Sequence, residues 1–203
     1  MTGRREHNKR QTRRSLQDAA RRLFSERGFD QVCVEDIATE VLVSRRTFFN
    51  YFDSKEAALV DPDPSRLDTL AALLAARPAD EPLLNSLCAV HIQFLMADPA
   101  DFASRMRLVR ANPALRQRWV TAIEIFDAEV VRWACTCTGL PPEAVYPQLL
   151  AALVGTVSRL AMEHWDPDTP PEQLAEVISC IYRLLAVLGN DADLPPADPG
   201  CEH

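Results

Sequence analysis

The chain has 203 residues, 47% of them apolar and 25% charged, which is room for a small domain plus a larger one, each with a core. No apolar run reads as a bilayer span, and the charged start MTGRREHNKRQTRR lacks the apolar stretch of a secretory leader. A cytoplasmic protein with mostly reduced cysteines and no membrane partner is therefore expected. The net charge of −7 is unevenly divided: residues 1–59 hold 12 Lys/Arg against 9 Asp/Glu, and residues 60–203 hold 10 against 20. Positive charge gathered at one end of an acidic chain points that end at phosphate and limits non-specific adhesion elsewhere.

Residues 1–8 read as a flexible basic arm. A first helix is expected over 9–27, where Leu16, Ala19, Ala20, Leu23 and Phe24 form an amphipathic stripe and Gly28 follows at a natural stop. A second helix begins near Val34, with Ile37, Ala38 and Val41 at helical spacing. Ser44 then stands where a cap is wanted, opening a third helix from Arg45 to Tyr51 or Phe52. Phe48 and Phe52, four apart, form its buried face. Arg45, Arg46, Phe49 and Asn50 project elsewhere, a set that suits a DNA major groove. Arg can give two bonds to guanine, Asn can pair with adenine, and an aromatic ring can touch a thymine methyl. Residues 9–53 are thus read as a helix-turn-helix DNA-binding domain.

Ile37-Ala38, Val43-Ser44, Thr47-Phe48-Phe49-x-Tyr51-Phe52 and Ser54-Lys55 resemble the signature of the tetracycline-repressor (TetR) family of bacterial regulators. The resemblance covers roughly residues 9–59. It implies an all-α fold with a C-terminal effector-binding and dimerisation domain, and phosphate contacts from Thr47, Tyr51 and Lys55. Two positions depart from the family pattern. Cys33 replaces a hydroxyl cap and is a poorer one by about 1 kcal/mol. Leu42 stands where the family has Gly for a positive φ, a substitution costing on the order of 1 kcal/mol.

Residues 54–189 are expected to form the second domain. Ser54 caps its first helix, and Asp61-Pro62-Asp63-Pro64 should interrupt it, because each Pro disfavours helix in the residue before it. Helical pattern resumes to about residue 76 and continues over 81–97, 101–110, 113–138, 143–164 and 171–188, punctuated by proline. No alternating strand pattern, repeat or glycine-rich phosphate loop is visible. The segments LLAALVGTVSRLAM and VISCIYRLLAVL are too apolar for one buried stripe each. In the family the last two helices pair with a second copy, which implies a homodimer through 143–164 and 171–188. Residues 190–203 read as a disordered acidic tail.

The central segments concentrate His91, Phe94, Leu95, Phe102, Met106, Trp119, Ile123 and Phe126. Any one of these is ordinary core; together they suggest an apolar site for a small-molecule effector. The stretch RMRLVRANPALRQRW holds five arginines of an otherwise acidic domain, either a solvated face or an anion site at the cavity mouth. Its Leu108-Val109, Pro113 and Leu115-Arg116 resemble the pattern of a TetR subgroup with an acyl-coenzyme-A-type effector domain, mycofactocin-associated regulators included. That resemblance would put phosphates on Arg107 and Arg110. Cys88 and Cys180 sit in apolar stripes and are expected in the core, whereas Cys135 and Cys137 fall on different faces of a helix. No metal, cofactor or catalytic constellation is legible. The expectation is a ligand-responsive DNA-binding regulator, most simply a repressor on a palindromic operator. The alternatives are a cysteine-based redox regulator and a helix-turn-helix adaptor that contacts protein.

Overall fold

The amphipathic stripe of the first helix organises one end of the molecule. In the computed structural model, which describes the backbone of residues 2–190 and the side chains of residues 7–188, α1 (Thr2–Arg27) buries Leu16, Ala19, Ala20, Leu23 and Phe24 almost completely. Burial of each large side chain among them contributes about 1.5–3 kcal/mol. The helix begins at Thr2, so the segment expected as a free arm continues it instead. It stops at Gly28, whose φ of 84° admits no β-carbon without strain, and a single 3-10 turn (Phe29–Gln31) follows.

Next come α2 (Val34–Glu40) and α3 (Arg45–Phe49), packed on α1 through Ile37, Ala38, Phe48 and Phe52. Leu42, in the turn between them, has a φ of 58°, the left-handed conformation anticipated from its glycine-like position. Its side chain is 93% exposed, so no packing offsets that strain. Cys33 is less costly than expected. The Asp36 carboxylate accepts the Cys33 N–H at 2.8 Å and its thiol at 2.9 Å, supplying half of a capping box.

Ser54 accepts the Ala57 N–H at 3.2 Å and opens α4 (Lys55–Val60). The Asp-Pro-Asp-Pro stretch does break the chain, and Asp63 caps α5 (Pro64–Ala75) by accepting the Ser65 N–H at 2.8 Å. Then follow α6 (Leu83–Leu95), α7 (Pro99–Ala111), α8 (Pro113–Glu124), α9 (Asp127–Thr138), α10 (Val145–His164) and α11 (Pro171–Asn190). The single helix expected over 113–138 is two. Ile125 and Phe126 keep helical dihedrals, but the Phe126 N–H bonds the Ile123 carbonyl, three residues back, and the regular helix is interrupted there. No proline or glycine announces that break.

Among the described residues the architecture is all-α, and one continuous apolar core runs from Leu16 to Tyr182. Helix α4 lies between α1 and α8, while α10 packs on α9 and α11, and α11 on α6. Helix α10 is 20 residues long with a window of mean hydropathy 1.2, long and apolar enough to cross a membrane, contrary to the expectation of no such run. Its packing on α9 and α11 accounts for one side of that apolar surface. Cys180, expected in the core, is exposed on α11. The expected acidic tail beyond Asn190 lies outside the described residues.

Candidate nucleic-acid interface and effector cavity

Helix α3 is five residues long and depends on its caps and one anchor. Ser44 accepts the Thr47 N–H at 3.0 Å, and its hydroxyl lies 2.8 Å from that of Thr47. Phe48 is fully buried against Phe52, with ring centroids 5.8 Å apart. These contacts leave Arg45, Arg46, Phe49 and Asn50 exposed on the outer side, as expected. Asn50 is the C-terminal cap rather than an interior residue, so the helix is shorter than the sequence pattern suggested. The Arg45 guanidinium sits 5.5 Å from the Phe49 ring centroid and pairs with Glu35 at 3.0 Å. Both partners are exposed, so the pair is weak and a phosphate or base edge can displace it.

Two basic side chains of the head are held by backbone carbonyls, and one of them, Lys55, is the residue that the family resemblance assigns to phosphate. Lys55 donates to the carbonyls of Phe29 at 2.8 Å and Val32 at 2.9 Å, and its ammonium lies 4.0 Å from the Phe29 ring centroid. These two bonds close the 3-10 turn and occupy two of the three ammonium donors of Lys55, which leaves one for the expected phosphate contact. Arg13 donates to the Tyr51 carbonyl at 2.9 Å and the Pro62 carbonyl at 3.3 Å, with its guanidinium 4.3 Å from the Phe52 ring centroid. It ties the end of the reading helix to the Pro break. Thr47 and Tyr51 are partly exposed beside the arginines.

The second site is an apolar cavity among α5–α11, with about 1020 Å³ of empty space including its mouth. Eight of the expected residues line it: His91, Phe94, Leu95, Phe102, Met106, Trp119, Ile123 and Phe126. At the break between α8 and α9 Phe126 meets Phe94, with centroids 5.2 Å apart and rings nearly perpendicular. At the deep end His91 Nε2 lies 3.0 Å from the Ser158 hydroxyl, and Nδ1 is 3.4 Å from that of Tyr182. Burial pushes the His91 pKa down to about 4 and the Tyr182 pKa above its ordinary value, so both are neutral at pH 7. Sequence reasoning missed Ser158 and Tyr182, which lie 67 and 91 residues beyond the histidine they bond.

Arg107 and Arg110 do not line the cavity, which corrects the expectation of an anion rim there. Arg107 pairs with Asp168 at 2.5 Å and donates to the Pro167 carbonyl at 3.1 Å; Arg110 donates to the Trp165 carbonyl. The other three arginines of that row are also engaged. Arg105 pairs with Asp101, and Arg116 donates to the Arg110 carbonyl at 2.7 Å. Arg118 grips Asp61 through two bonds at 2.6 and 2.7 Å and reaches Asp53 at 3.2 Å. Arg107, Arg110 and Arg116 remain exposed while bonded, so the row is partly a solvated face, and Arg107, Arg110 and Arg118 also tie α7 and α8 to other segments of the chain. Arg118 was legible only as one charge among five, because its partners are 57 and 65 residues away.

At three of the cysteines the chemistry runs against a redox reading. The Asp36 carboxylate beside Cys33 raises its pKa, and burial does the same for Cys88 and Cys137, so the reactive thiolate is disfavoured at all three.

Comparison with known proteins agrees with this geometry. The model of bacterial regulatory proteins of the tetR family matches residues 16–60, and that of the MftR C-terminal domain matches residues 81–188. The transcriptional regulator TcmR of Streptomyces glaucescens is 29% identical over 185 residues, covering 85% of this chain and 82% of its own. The protein described as the mycofactocin biosynthesis transcriptional regulator MftR of Mycobacterium tuberculosis is 28% identical over 156 residues, covering 75% and 79%. A crystal structure of a TetR-family regulator from Mesorhizobium loti superposes with a TM-score of 0.53 at 20% identity over 88% of this chain and 96% of the other, a likeness of fold. The relatives named here are transcriptional regulators, not enzymes.

Proposed function

The chain belongs to the TetR family, and on that premise we propose that it is a homodimeric repressor that holds a near-palindromic operator and releases it when an apolar effector fills the cavity. The observation that carries the DNA-binding part is the outer side of α3. Arg45, Arg46, Phe49 and Asn50 are exposed together on a helix anchored from behind by Phe48, with Thr47 and Tyr51 placed for phosphate. Such a protein acts in the cytoplasm, where the operator is.

Dimerisation is supported by the outward side of the last two helices. Val145 and Leu149 of α10 and Leu184, Val187 and Leu188 of α11 are each at least half exposed. Apolar patches of this kind mark association surfaces, and a two-fold pairing there sets two reading helices about one DNA turn apart.

Coupling between the sites runs through α8. Trp119 and Ile123 of this helix line the cavity, while Arg118 beside them clasps Asp61 at the end of α4 and Asp53 just after the reading helix. An effector that displaces Trp119 moves Arg118, and with it the head. Release follows if the effector binds that displaced arrangement better. The apolar lining favours a lipophilic effector, and an acyl chain suits it.

Fluorescence polarisation against DNA from upstream of its own gene, at two salt concentrations, tests the reading. Tight sequence-specific binding with a steep salt slope is expected. Unchanged affinity after Arg45→Ala with Arg46→Ala would remove the groove assignment. No binding to any duplex at either salt, a random-sequence pool included, would favour the adaptor.

A further inference from the structure

The cavity is not closed by apolar residues alone. Two of its lining side chains, Arg66 of α5 and Arg105 of α7, also line a second, polar cleft in which Arg14 and Arg21 of α1 stand beside four carboxylates, Asp18, Asp63, Asp98 and Asp101. The apolar cavity and the polar cleft therefore meet at these two guanidinium groups. Every other strongly basic group of the neighbouring arginine row is committed to a carboxylate or carbonyl of the fold. Arg66 is the exception. It lies 4.0 Å from the Phe94 ring centroid and donates one hydrogen bond, at 3.2 Å, to the Phe94 carbonyl. Among the described residues it has no salt-bridge partner, although a guanidinium carries five N–H donors.

We propose that Arg66, assisted by Arg105, is an anion-recognition site at the polar end of the cavity, and that the effector is an amphiphile with one anionic head and an apolar body. The proposal rests on the cavity being the effector site and names the class of ligand it takes. A partly buried guanidinium with unused donors is a planar fork that fits a carboxylate or phosphate, and Arg keeps its charge even where burial lowers its pKa, as it does here. The other polar groups of the cavity do not compete for that role. His91 is neutral and engaged with Ser158 and Tyr182. Asp127 also lines the cavity, but burial and the nearby Glu124 push its carboxyl toward the neutral form. Asp98, which caps α7, is the acid whose charge Arg66 and Arg105 both feel.

The second arginine gives the site a consequence. Arg105 pairs with Asp101, and Asp101 pairs in turn with Arg21 of α1. An anion on Arg105 draws it from Asp101 and alters a contact between the effector domain and the head. The ligand's head and its body thus act on the head domain by separate routes, through Asp101 and through α8.

The head chemistry has two sources, a free carboxylate or the phosphates of a nucleotide thioester, and the same titration separates them. Decanoate, decan-1-ol and decanoyl-coenzyme A are each titrated into the full-length protein at pH 7.5, with tryptophan fluorescence and calorimetry as readouts. Decanoate is expected to bind at least ten-fold more tightly than decanol. Arg66→Gln should bring the two within three-fold of each other by weakening decanoate, and Arg66→Lys should restore part of the preference. Decanoyl-coenzyme A binding more tightly than decanoate, with the same sensitivity to Arg66→Gln, supports the site and assigns the head to the thioester's phosphates. Equal affinity for decanoate and decanol overturns the anion site while leaving the cavity as effector site. Thioester binding that ignores Arg66→Gln overturns it too, by placing the anion elsewhere. No binding of any probe, with Ala122→Trp making no difference, removes the cavity reading itself.

Discussion

Two groups of arginines share one chemistry and differ in what faces them. Arg45 and Arg46 on α3 stand in solvent, one of them held by an exposed glutamate and the ring of Phe49. The five from Arg105 to Arg118 are each bonded within the chain. A free guanidinium can recognise; a satisfied one fastens. Count and spacing do not separate the two, because the partners that satisfy Arg107 and Arg118 lie about sixty residues away in sequence.

The largest expected effect tests the free group. Replacing Arg45 and Arg46 together by Ala should weaken operator binding by about 2–6 kcal/mol, as for two base contacts, and leave the dimer intact in sedimentation. Only a small, uniform loss across all DNA sequences would reassign both to phosphate. The polar end of the same comparison is His91, a titratable group whose partners are neutral: Ser158 and Tyr182, with Cys88 beyond the tyrosine. Its folded pKa of about 4 lies below the ordinary 6.5, so the unfolded chain binds the proton more readily. Its contribution is complete above pH 6.5 and fades as pH falls toward 4. Between pH 7.5 and pH 5 the folded state should lose about 2 kcal/mol from this group, read as a shift in urea midpoint that His91→Gln does not show.

For the fastened group, Arg118→Met should lower stability by about 1–2 kcal/mol, since it strands Asp61 near the protein surface. It should also blunt effector-induced release of DNA in a polarisation competition. Full release by an effector in that variant would place the coupling elsewhere, and Asp101→Asn would then be the next substitution to compare. The smallest effect is a gain. Leu42→Gly relieves a positive φ on a side chain that packs on nothing and should raise stability by about 1 kcal/mol in urea titration, with operator affinity unchanged.

The head was legible because its signals are local. The stripe on α1, the cap at Ser44, the paired Phe48 and Phe52 and even the left-handed Leu42 are set by neighbours within a few residues. The cavity lining was legible as a group, since aromatic and methionine side chains concentrate in three consecutive segments. What escaped is long-range or geometric. Lys55 reads as a phosphate ligand until the carbonyls of Phe29 and Val32 are placed beside it. Arg66 read as nothing in particular, because only the meeting of α5, α6 and α7 sets it at the polar end of an apolar space. The break at Ile125–Phe126 carries no proline or glycine, and the ring that Phe126 meets there, that of Phe94, lies more than thirty residues upstream.

The proline break has a last consequence, in how motion is divided. It leaves α4 as a helix of six residues, well under the ~12–15 at which an isolated helix begins to hold itself together in water. Such a segment has no autonomy: its conformation and position come from the surfaces that hold it, α1 on one side and α8 on the other. A long continuous helix would resist bending and carry a displacement along its whole length. A short one, cut loose from α5 by two prolines, follows whichever neighbour moves, and α5 can stay where it is while the head turns.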